Sequence, residues 1–450
     1  MKSVFCFCIL LLSLNHVLSQ PSWHVLPNSA FTSWRYDDIS FINENTGWAL
    51  YNTSFSGSNT GRVYKTTNGG HNWEMQMEVT NIGLRCVGFA DSLTGFIGTL
   101  GFIGALNRSP ILYRTSNGGN SWDSVTFELN NRPGGLCGMS VLDRNNIFAA
   151  GRINSPASIT PPYFIKTTNG GQNWIAKNMS AYAVWLVDCK FFSPDSGFVV
   201  GSVDAPLLTN NKNVVLFTSD GGDSWTERYR GSNIGEGLWK ISFPSRNTGY
   251  CSLNNGYVDS VCYLKTTDGG NTWMRKSFNS GISSYVFTQG LGFLNENTGW
   301  IGGDINYMYK TTNGGINWQQ DNFCKNLNRI RFLNDSIGYA ASQQIYKFTN
   351  EPIGILQVSN EVPSGYKLHQ NFPNPFNPIT KISFEIPKAS FVSIRIFNIL
   401  GKEIETVGNR KFDAGSYYFN WDASIYPSGI YFLNFTSEGF SASEKMILLK

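Results

Sequence analysis

The sequence predicts an all-β protein, a seven-bladed β-propeller followed by a small Ig-like β-sandwich, and three observations predict it. A phrase of the form Thr-x-(Asn/Asp)-Gly-Gly-x-x-Trp occurs six times, with its tryptophans 45 to 52 residues apart. A second strand–turn–strand phrase, FINENTGW at Phe41–Trp48 in its first copy, occurs seven times. After residue 350 both phrases stop and short alternating strands follow. A period near 50 residues indicates repeats that bury their apolar faces by stacking on neighbours.

Each copy of the first phrase predicts a tight hairpin turn. The Asn or Asp side chain bonds nearby backbone N–H groups, and the Thr hydroxyl does the same. The two glycines adopt positive φ without a Cβ clash, and the Trp buries a large ring. The residues predicted to have this structural role are Asn68, Trp73, Asn117, Trp122, Asn169, Trp174, Asp220, Trp225, Asp268, Trp273, Asn313 and Trp318.

The two phrases together give each repeat two hairpins, which are the four strands of a propeller blade. The seventh repeat lacks the first phrase, because the chain after Tyr339 reaches only Asn350-Glu351-Pro352. The segment Ser22–Leu26 resembles the strand that follows each first phrase, and Trp23 precedes Trp73 by 50 positions. We therefore expect the N-terminal strand to complete the last blade, which gives a closed seven-bladed propeller over residues 20–350.

The N-terminus predicts export. Met1-Lys2 and the uncharged apolar run Val4–Leu14 are typical of a secretory signal peptide over residues 1–19, with cleavage before Gln20. No other segment is long and apolar enough to span a bilayer. The net charge of +4 is too small to indicate a nucleic-acid partner. We expect an exported monomer without a transmembrane segment.

The cysteines suit an exported chain but indicate no metal centre. Cys86, Cys137 and Cys189 fall on inner strands, where they act as small buried apolar residues. Cys251 and Cys262 lie on two arms of one predicted loop and are the candidate disulfide. No C-x-x-C occurs and the histidines are scattered, so we expect no metal and no cofactor.

The longer connections between strands form a candidate recognition surface. Both kinds of predicted turn lie on one face of the propeller, which we call the turn face, and the long connections lie on the opposite loop face. Aromatic and arginine side chains at the inner ends of these connections would suit a carbohydrate or a peptide. The candidate ligand residues are Trp34, Arg35, Arg85, Trp185, Trp239, Tyr285 and Arg329.

The C-terminal part is a separate β-domain. Residues 351–364 are predicted to be a linker, and residues 365–450 a sandwich of short strands. The strip Gln370–Pro378 (QNFPNPFNP) contains three prolines, which cannot donate ladder hydrogen bonds, so it is expected along a sheet edge.

Two resemblances follow from these motifs. Gln370–Pro378, Ile396-Phe397-Asn398-x-x-Gly401, Pro427–Phe432 and the ending Lys445-Met446-x-Leu448-x-Lys450 resemble the type A C-terminal sorting domain of the Por (type IX) secretion system. This implies the type IX machinery as partner and a location on the outer surface or in the medium. The repeats resemble photosystem II assembly-factor-like (BNR/Asp-box) propellers, which implies a non-enzymatic scaffold.

Three functions remain open: a binding propeller for proteins or glycans, a glycoside hydrolase, and a passive adhesion component of the envelope. Sialidases need an Arg triad, a Tyr–Glu pair and an acid Asp, and the Arg-Ile-Pro of their first blade is absent around Arg35. Xyloglucanase-type enzymes use two facing propellers. Two of the three residues Asp37, Asp38 and Asp188 could form the carboxylate pair of a hydrolase. We expect a binding protein rather than an enzyme.

Overall fold

The computed structural model describes residues 21–26, 28–54, 59–102, 110–128, 132–151, 161–203, 212–254, 260–281, 287–350, 355–359, 361–423 and 426–450. The predicted signal peptide over residues 1–19 lies outside these ranges, as do Tyr285 and the middle of several loop-face connections. All regular structure in the described ranges is β-strand. Within them, no helix is long and apolar enough to cross a membrane.

The repeats form four-stranded antiparallel sheets whose order follows the chain, and the first strand, β1 (Ser22–Val25), precedes them. Sheet 1 contains β2 (Arg35–Phe41), β3 (Gly47–Asn52), β4 (Thr60–Thr66) and β5 (Glu74–Thr80). Sheet 2 contains β6 (Ile82–Phe89), β7 (Gly95–Phe102), β8 (Leu112–Thr115) and β9 (Asp123–Ser124). Sheet 3 contains β10 (Gly138–Val141), β11 (Ile147–Gly151), β12 (Tyr163–Thr167) and β13 (Ile175–Asn178).

The next sheets repeat this arrangement. Sheet 4 contains β14 (Trp185–Phe191), β15 (Gly197–Val203), β16 (Lys212–Thr218) and β17 (Thr226–Arg230). Sheet 5 contains β18 (Gly237–Ser242), β19 (Gly249–Asn254), β20 (Ser260–Thr266) and β21 (Met274–Asn279). Sheet 6 contains β22 (Thr288–Phe293), β23 (Gly299–Gly303), β24 (Met308–Thr311) and β25 (Gln319–Asp321). Sheet 7 contains β26 (Arg329–Phe332), β27 (Gly338–Ala341), β28 (Ile345–Thr349) and, at its outer edge, β1.

The outer strand of sheet 7 comes from the other end of the repeat region. Strand β1 pairs antiparallel with β28, and Trp23 lies opposite Phe348, as the spacing of Trp23 predicts. The Trp23 ring stacks on Phe323, with centroids 4.9 Å apart, and stands edge-on to Trp300 of sheet 6 at 5.6 Å. The N-terminal strand is therefore attached by ring packing as well as by the ladder.

Aromatic stacks join neighbouring sheets. The Phe that ends an inner strand lies flat on an aromatic residue of the preceding sheet, as in Phe89 on Trp48 at 3.4 Å and Phe293 on Tyr250 at 3.5 Å. Phe41 of sheet 1 makes the same stack on Tyr339 of sheet 7, at 3.5 Å. Sheets 1 and 7 thus contact each other in the way that consecutive sheets do.

The first phrase forms the predicted turn. In its first copy, Thr66 Oγ1 donates to Asn68 Oδ1 at 3.0 Å and accepts from Gly70 N at 2.9 Å. Both glycines have positive φ, 69° and 91°. Gly69 N also donates to Asn45 O of the second phrase at 2.8 Å, and the equivalent bond occurs in all six copies. The two phrases therefore turn side by side on the turn face.

The C-terminal domain packs two four-stranded antiparallel sheets around one core. Its strands are β29 (Leu356–Ser359), β30 (Lys367–Leu368), β31 (Ile379–Ile386), β32 (Ser390–Asn398), β33 (Glu403–Phe412), β34 (Gly415–Asp422), β35 (Gly429–Ser437) and β36 (Phe440–Leu448). The sheet orders are β29-β34-β31-β30 and β33-β32-β35-β36. Alternation places Ile382, Phe384 and Ile386 in the core.

Two details of this domain bear on the predictions. Part of the predicted linker, Leu356–Ser359, pairs with β34, and Ile355 joins the domain core, so the sandwich begins before residue 365. The short apolar stretch at 355–358 interrupts the turn-rich composition from which a linker was predicted. The proline strip lies along β36 as expected: Phe376 N donates to Ile447 O, and Leu449 N donates to Phe376 O, both at 2.9 Å.

The structure does not form the predicted disulfide. Cys251 lies opposite Leu264 and Cys262 opposite Leu253, so the two residues are offset by two positions on adjacent strands. Both are buried and form no disulfide, because a disulfide requires its β-carbons at close range. Cys86, Cys137 and Cys189 are also buried and not disulfide-bonded; Cys86 and Cys189 lie on inner strands as predicted, and Cys137 immediately precedes β10.

Candidate functional site

Irregularities in the inner strands shape the centre of the repeat region. The inner strands of sheets 1, 2, 4, 5 and 6 each shift register at an equivalent point, before Asp38, Cys86, Asp188, Ile241 and Leu291. A β-bulge adds a residue and re-aims the side chains beside it. The extra residues include Asp37 and Arg85, which leave the packing between sheets and enter a polar cluster.

This axial cluster consists of buried ion pairs. Asp37 accepts from Arg35 Nε at 3.1 Å and also from Arg85. Its other oxygen accepts from Asn52 Nδ2 at 2.7 Å. All these side chains are buried. The first half of the cluster is thus a carboxylate held between two guanidinium groups.

The second half joins inner strands that are far apart in sequence. Arg329 Nη1 and Nη2 donate to the two oxygens of Asp188 at 2.8 and 3.1 Å, and its Nε donates to Asp38 at 3.1 Å. Arg331 Nη2 donates to both Asp38 oxygens at 3.1 and 3.0 Å. Such planar, charge-assisted bonds are strong and directional. Sheets 1, 4 and 7 are therefore held together at the axis.

The axial carboxylates are kept ionised. Burial alone would raise the pKa of Asp38, but Arg329, Arg331 and Lys240 outweigh it and lower that pKa. Burial alone would also raise the pKa of Asp188, but the charges of Arg329 and Lys240 lower it. Neither carboxyl group is suited to hold a proton near neutral pH.

Lys240 is a cation without a hydrogen-bond partner. Its side chain is fully buried, and Nζ makes no hydrogen bond with any described residue. Burial, reinforced by the positive charge of Arg329, lowers the pKa of this ammonium to about 7. Lys240 is not among the residues that the sequence predicts for the site; the available signal was a lysine between apolar Leu238 and Ile241 in an inner strand.

The predicted ligand residues separate into two groups. Arg35, Arg85 and Arg329 are buried in the ion pairs above, so the expectation that they face a ligand is wrong. Their partner carboxylates lie on inner strands, either the same strand, as for Arg35, or a different sheet, as for Arg329. Trp34, Trp185 and Trp239 are half-buried and lie at the loop-face ends of inner strands. Tyr285 lies outside the described residues.

These tryptophans lie next to the axial cluster. Trp185 and Trp239 meet edge to face, with centroids 5.8 Å apart. The Arg85 guanidinium lies over Trp239 at 5.5 Å, and that of Arg35 over Trp34 at 5.3 Å. The indole Nε1 atoms of Trp185 and Trp239 make no hydrogen bond to any described residue. The arrangement is an aromatic surface above buried positive charge.

A cavity of about 350 Å³ opens at the other end of the axis, on the turn face. Residues from the inner strands of all seven sheets line it, including Arg331, Lys190 and a collar of phenylalanine rings. Of the described residues, no group of His, Cys, Asp or Glu is arranged to hold a metal ion. The axis thus presents an aromatic end and a cationic end.

Comparison with known proteins identifies the tail. Residues 370–449 match the family described as the secretion system C-terminal sorting domain. The C-terminal domain is a sorting domain. It indicates export by the type IX secretion system, to the cell surface or the medium, with the type IX machinery as partner.

The repeat region is similar to photosystem II assembly factors. The chain is 23% identical over 318 residues to the chloroplastic photosystem II stability/assembly factor HCF136 of Oryza sativa subsp. japonica, covering 62% of this chain and 70% of that protein. A structure of YCF48 bound to D1 peptide has a TM-score of 0.52 and 17% identity, covering 74% of this chain and 97% of that one. YCF48 from Cyanidioschyzon merolae gives a TM-score of 0.51 and 18% identity, over 73% and 98%. The fold is propeller-like.

Proposed function

We propose that the seven sheets form one closed ring of seven blades, and that this ring is an exported, non-enzymatic module that binds a protein segment outside the cell. The pairing of β1 with β28 and the stack of Phe41 on Tyr339 support closure by the N-terminal strand. The sorting domain supplies the route of export.

The mutual pairing of the axial charges is the observation that carries the non-enzymatic assignment. A glycoside hydrolase needs one carboxylic acid that holds its proton and a second carboxylate. Asp38 and Asp188 instead have lowered pKa values, and both bind Arg329. An arginine in such a pair is not available to clamp a substrate carboxylate.

The tryptophan surface on the loop face is the proposed binding site. Trp185 and Trp239 are only half-buried, so their exposed ring faces are available to pack against a ligand, whereas their buried Nε1 groups lack acceptors among the described residues. A peptide in extended conformation presents side chains at regular intervals to such faces. The likeness to YCF48, which has been solved bound to a D1 peptide, supports a peptide ligand.

A glycan is the second candidate, because sugar rings also pack against aromatic faces. Xyloglucan-type and sialylated glycans are the relevant probes, since they are the substrates of the two hydrolase classes that the repeats resemble. Turnover of any of them would overturn the non-enzymatic assignment.

The experiment uses the exported chain and compares it with the double variant Trp185→Ala, Trp239→Ala. We expect the chain to bind members of a surface-protein peptide library, and the double variant to bind them at least tenfold more weakly. Ile316→Ala is the control, because Ile316 is 79% exposed in a turn on the opposite face. Equal binding by the double variant would exclude this surface, and binding to glycans alone would favour the second candidate.

The export route has its own test. Deletion of residues 370–450 should leave the propeller inside the outer membrane of a host with a type IX system, while the full chain reaches the surface or medium. Equal surface display of the two proteins would contradict the role of the tail.

A further inference from the structure

Seven register-equivalent residues meet at the turn-face end of the axis. Each is the last or the penultimate residue of its inner strand and lies opposite Trp48, Phe96, Phe148, Phe198, Tyr250, Trp300 or Tyr339 on the next strand. In sheet order these residues are Ser40, Gly88, Ser140, Lys190, Ser242, Gly292 and Arg331. All seven line the 350 Å³ cavity, so they form one layer, which we call the axial ring.

All charged residues of the axial ring are positive. Five members of this layer are Ser or Gly, and the other two, Lys190 and Arg331, carry the charges. Both charges are positive, and no described residue that lines the cavity carries a carboxylate. Small side chains at the other positions leave the space between the cations open.

Hydrogen-bond donors in the ring lack acceptors. Ser40 Oγ accepts from Phe89 N at 3.3 Å and Ser140 Oγ from Phe191 N at 3.0 Å, so each hydroxyl still has its hydrogen to donate. Ser242 Oγ makes no hydrogen bond with a described residue. The backbone therefore orients two hydroxyl groups whose protons have no protein acceptor within the described ranges.

The two cations of the axial ring also have hydrogen-bond donors without acceptors among the described residues. Lys190 makes no hydrogen bond or ion pair with any described residue. Arg331 binds Asp38 through Nε and Nη2, leaving Nη1 without a bond to described residues, and its side chain keeps 35% exposure to the cavity opening. Burial, together with the nearby charge of Arg331, lowers the pKa of Lys190, as expected for a cation that lacks a counter-charge.

The wider axis has the same excess of positive charge. Beside the cavity, Asp38 and Asp188 are surrounded by Arg329, Arg331 and Lys240, with Lys190 additional to these. Next to the ring, the collar of Phe41, Phe89, Phe243, Phe293 and Phe332, together with Val141, gives the cavity apolar walls. A low-dielectric wall strengthens the field that a bound anion would experience.

We propose that the axial ring is a binding site for one oxyanion group, a carboxylate, sulfate or phosphate, held between Lys190 and Arg331 with serine hydroxyls as further donors. The site lies at the end of the axis opposite to the tryptophan surface and is independent of the proposed function. An oxyanion accepts several hydrogen bonds at once and supplies the missing negative charge.

Isothermal titration calorimetry on the full exported chain tests the site with three probes: inorganic sulfate, inorganic phosphate and benzoate, whose ring would meet the phenylalanine collar. We expect saturable binding of one anion per chain for at least one probe. Lys190→Gln should weaken it at least tenfold, and Lys190→Arg should restore most of it. Lys276→Gln, which removes the same charge from exposed strand β21, should bind like the parent chain.

A second variant keeps the test decisive if Lys190→Gln does not fold. Ser242→Asp places a carboxylate inside the ring, so it should abolish anion binding while leaving the thermal transition intact or raised. Preference among the probes separates the sources: benzoate alone indicates an organic acid or a peptide terminus, and phosphate or sulfate indicates a phosphorylated or sulfated ligand. Absence of saturable binding for all three probes, or equal affinity in Lys190→Gln and the parent chain, would overturn the proposal.

Discussion

Replacement of Lys240 by methionine should stabilise the protein, although it alters a fully buried residue of the axial cluster. Nζ has no hydrogen-bond partner among the described residues, and its pKa is lowered from 10.5 to about 7. Methionine has similar length and needs no hydrogen bond. Replacing a buried ion pair with apolar residues of similar volume is often neutral or stabilising, by about 1–4 kcal/mol. Lys240 forms no hydrogen bond or ion pair with a described residue, so removing it removes a desolvation cost without breaking a direct pair.

The lowered pKa of Lys240 predicts a specific dependence of stability on pH. Between pH 7 and 10.5 the unfolded chain binds a proton on Lys240 that the folded chain does not. The free energy of unfolding should therefore increase steadily as the pH is raised from 7 to 10.5. In Lys240→Met this contribution disappears, so the difference in stability between variant and parent should be largest near pH 7 and shrink towards pH 10.5.

Arg329→Met should have the opposite effect on stability to Lys240→Met. It removes the arginine that binds Asp188 and one of the two arginines that bind Asp38, which leaves buried carboxylates undercompensated, and it should cost about 3–5 kcal/mol. Lys276→Met, on exposed strand β21, should have little effect.

Urea unfolding followed by tryptophan fluorescence measures these changes, because twelve of the thirteen tryptophans lie in residues 23–318 and report on the propeller. Destabilisation of Lys240→Met by 1 kcal/mol or more would refute the reasoning. It would mean that the ammonium is a required counter-charge for the axial carboxylates.

Three further changes probe the repeat phrases and the N-terminal strand. Gly249→Ala places a Cβ about 2.6 Å from the Phe243 ring, so overpacking should cost about 1–3 kcal/mol in urea unfolding. Thr266→Val removes a hydroxyl that makes three hydrogen bonds in one turn, and should cost about 1–3 kcal/mol in the same assay. Trp23→Ala loses the stack on Phe323, so it should lower stability by about 2–4 kcal/mol and speed unfolding in stopped-flow measurements.

Matched controls separate these effects from general sensitivity. Gly83→Ala meets only ordinary contacts at 3.8 Å or more and should be nearly neutral. Thr226→Val lies on an exposed outer strand and should also be tolerated. Val25→Ala, on the same strand as Trp23, should cost much less because Val25 is 39% exposed. If a variant and its control lose equal stability, the proposed cause of that loss is wrong.

The sequence was sufficient for everything that depends on local pattern. The two repeated phrases predict their turns because Thr, Asn or Asp and paired glycines satisfy the backbone within a few residues. The position of Trp23 predicts its pairing with β28, because a four-stranded repeat with one strand missing leaves an unpaired edge. The motifs of the tail predict the sorting domain.

Tertiary structure decided the fate of the charged residues. Arg35 and Arg329 look like ligand contacts in the sequence, whereas the fold brings carboxylates from sheets 1 and 4 against them. Lys190 and Arg331 become neighbours only because their strands converge on one axis. Contacts between residues 141 positions apart follow from how the sheets pack, and no local periodicity encodes them.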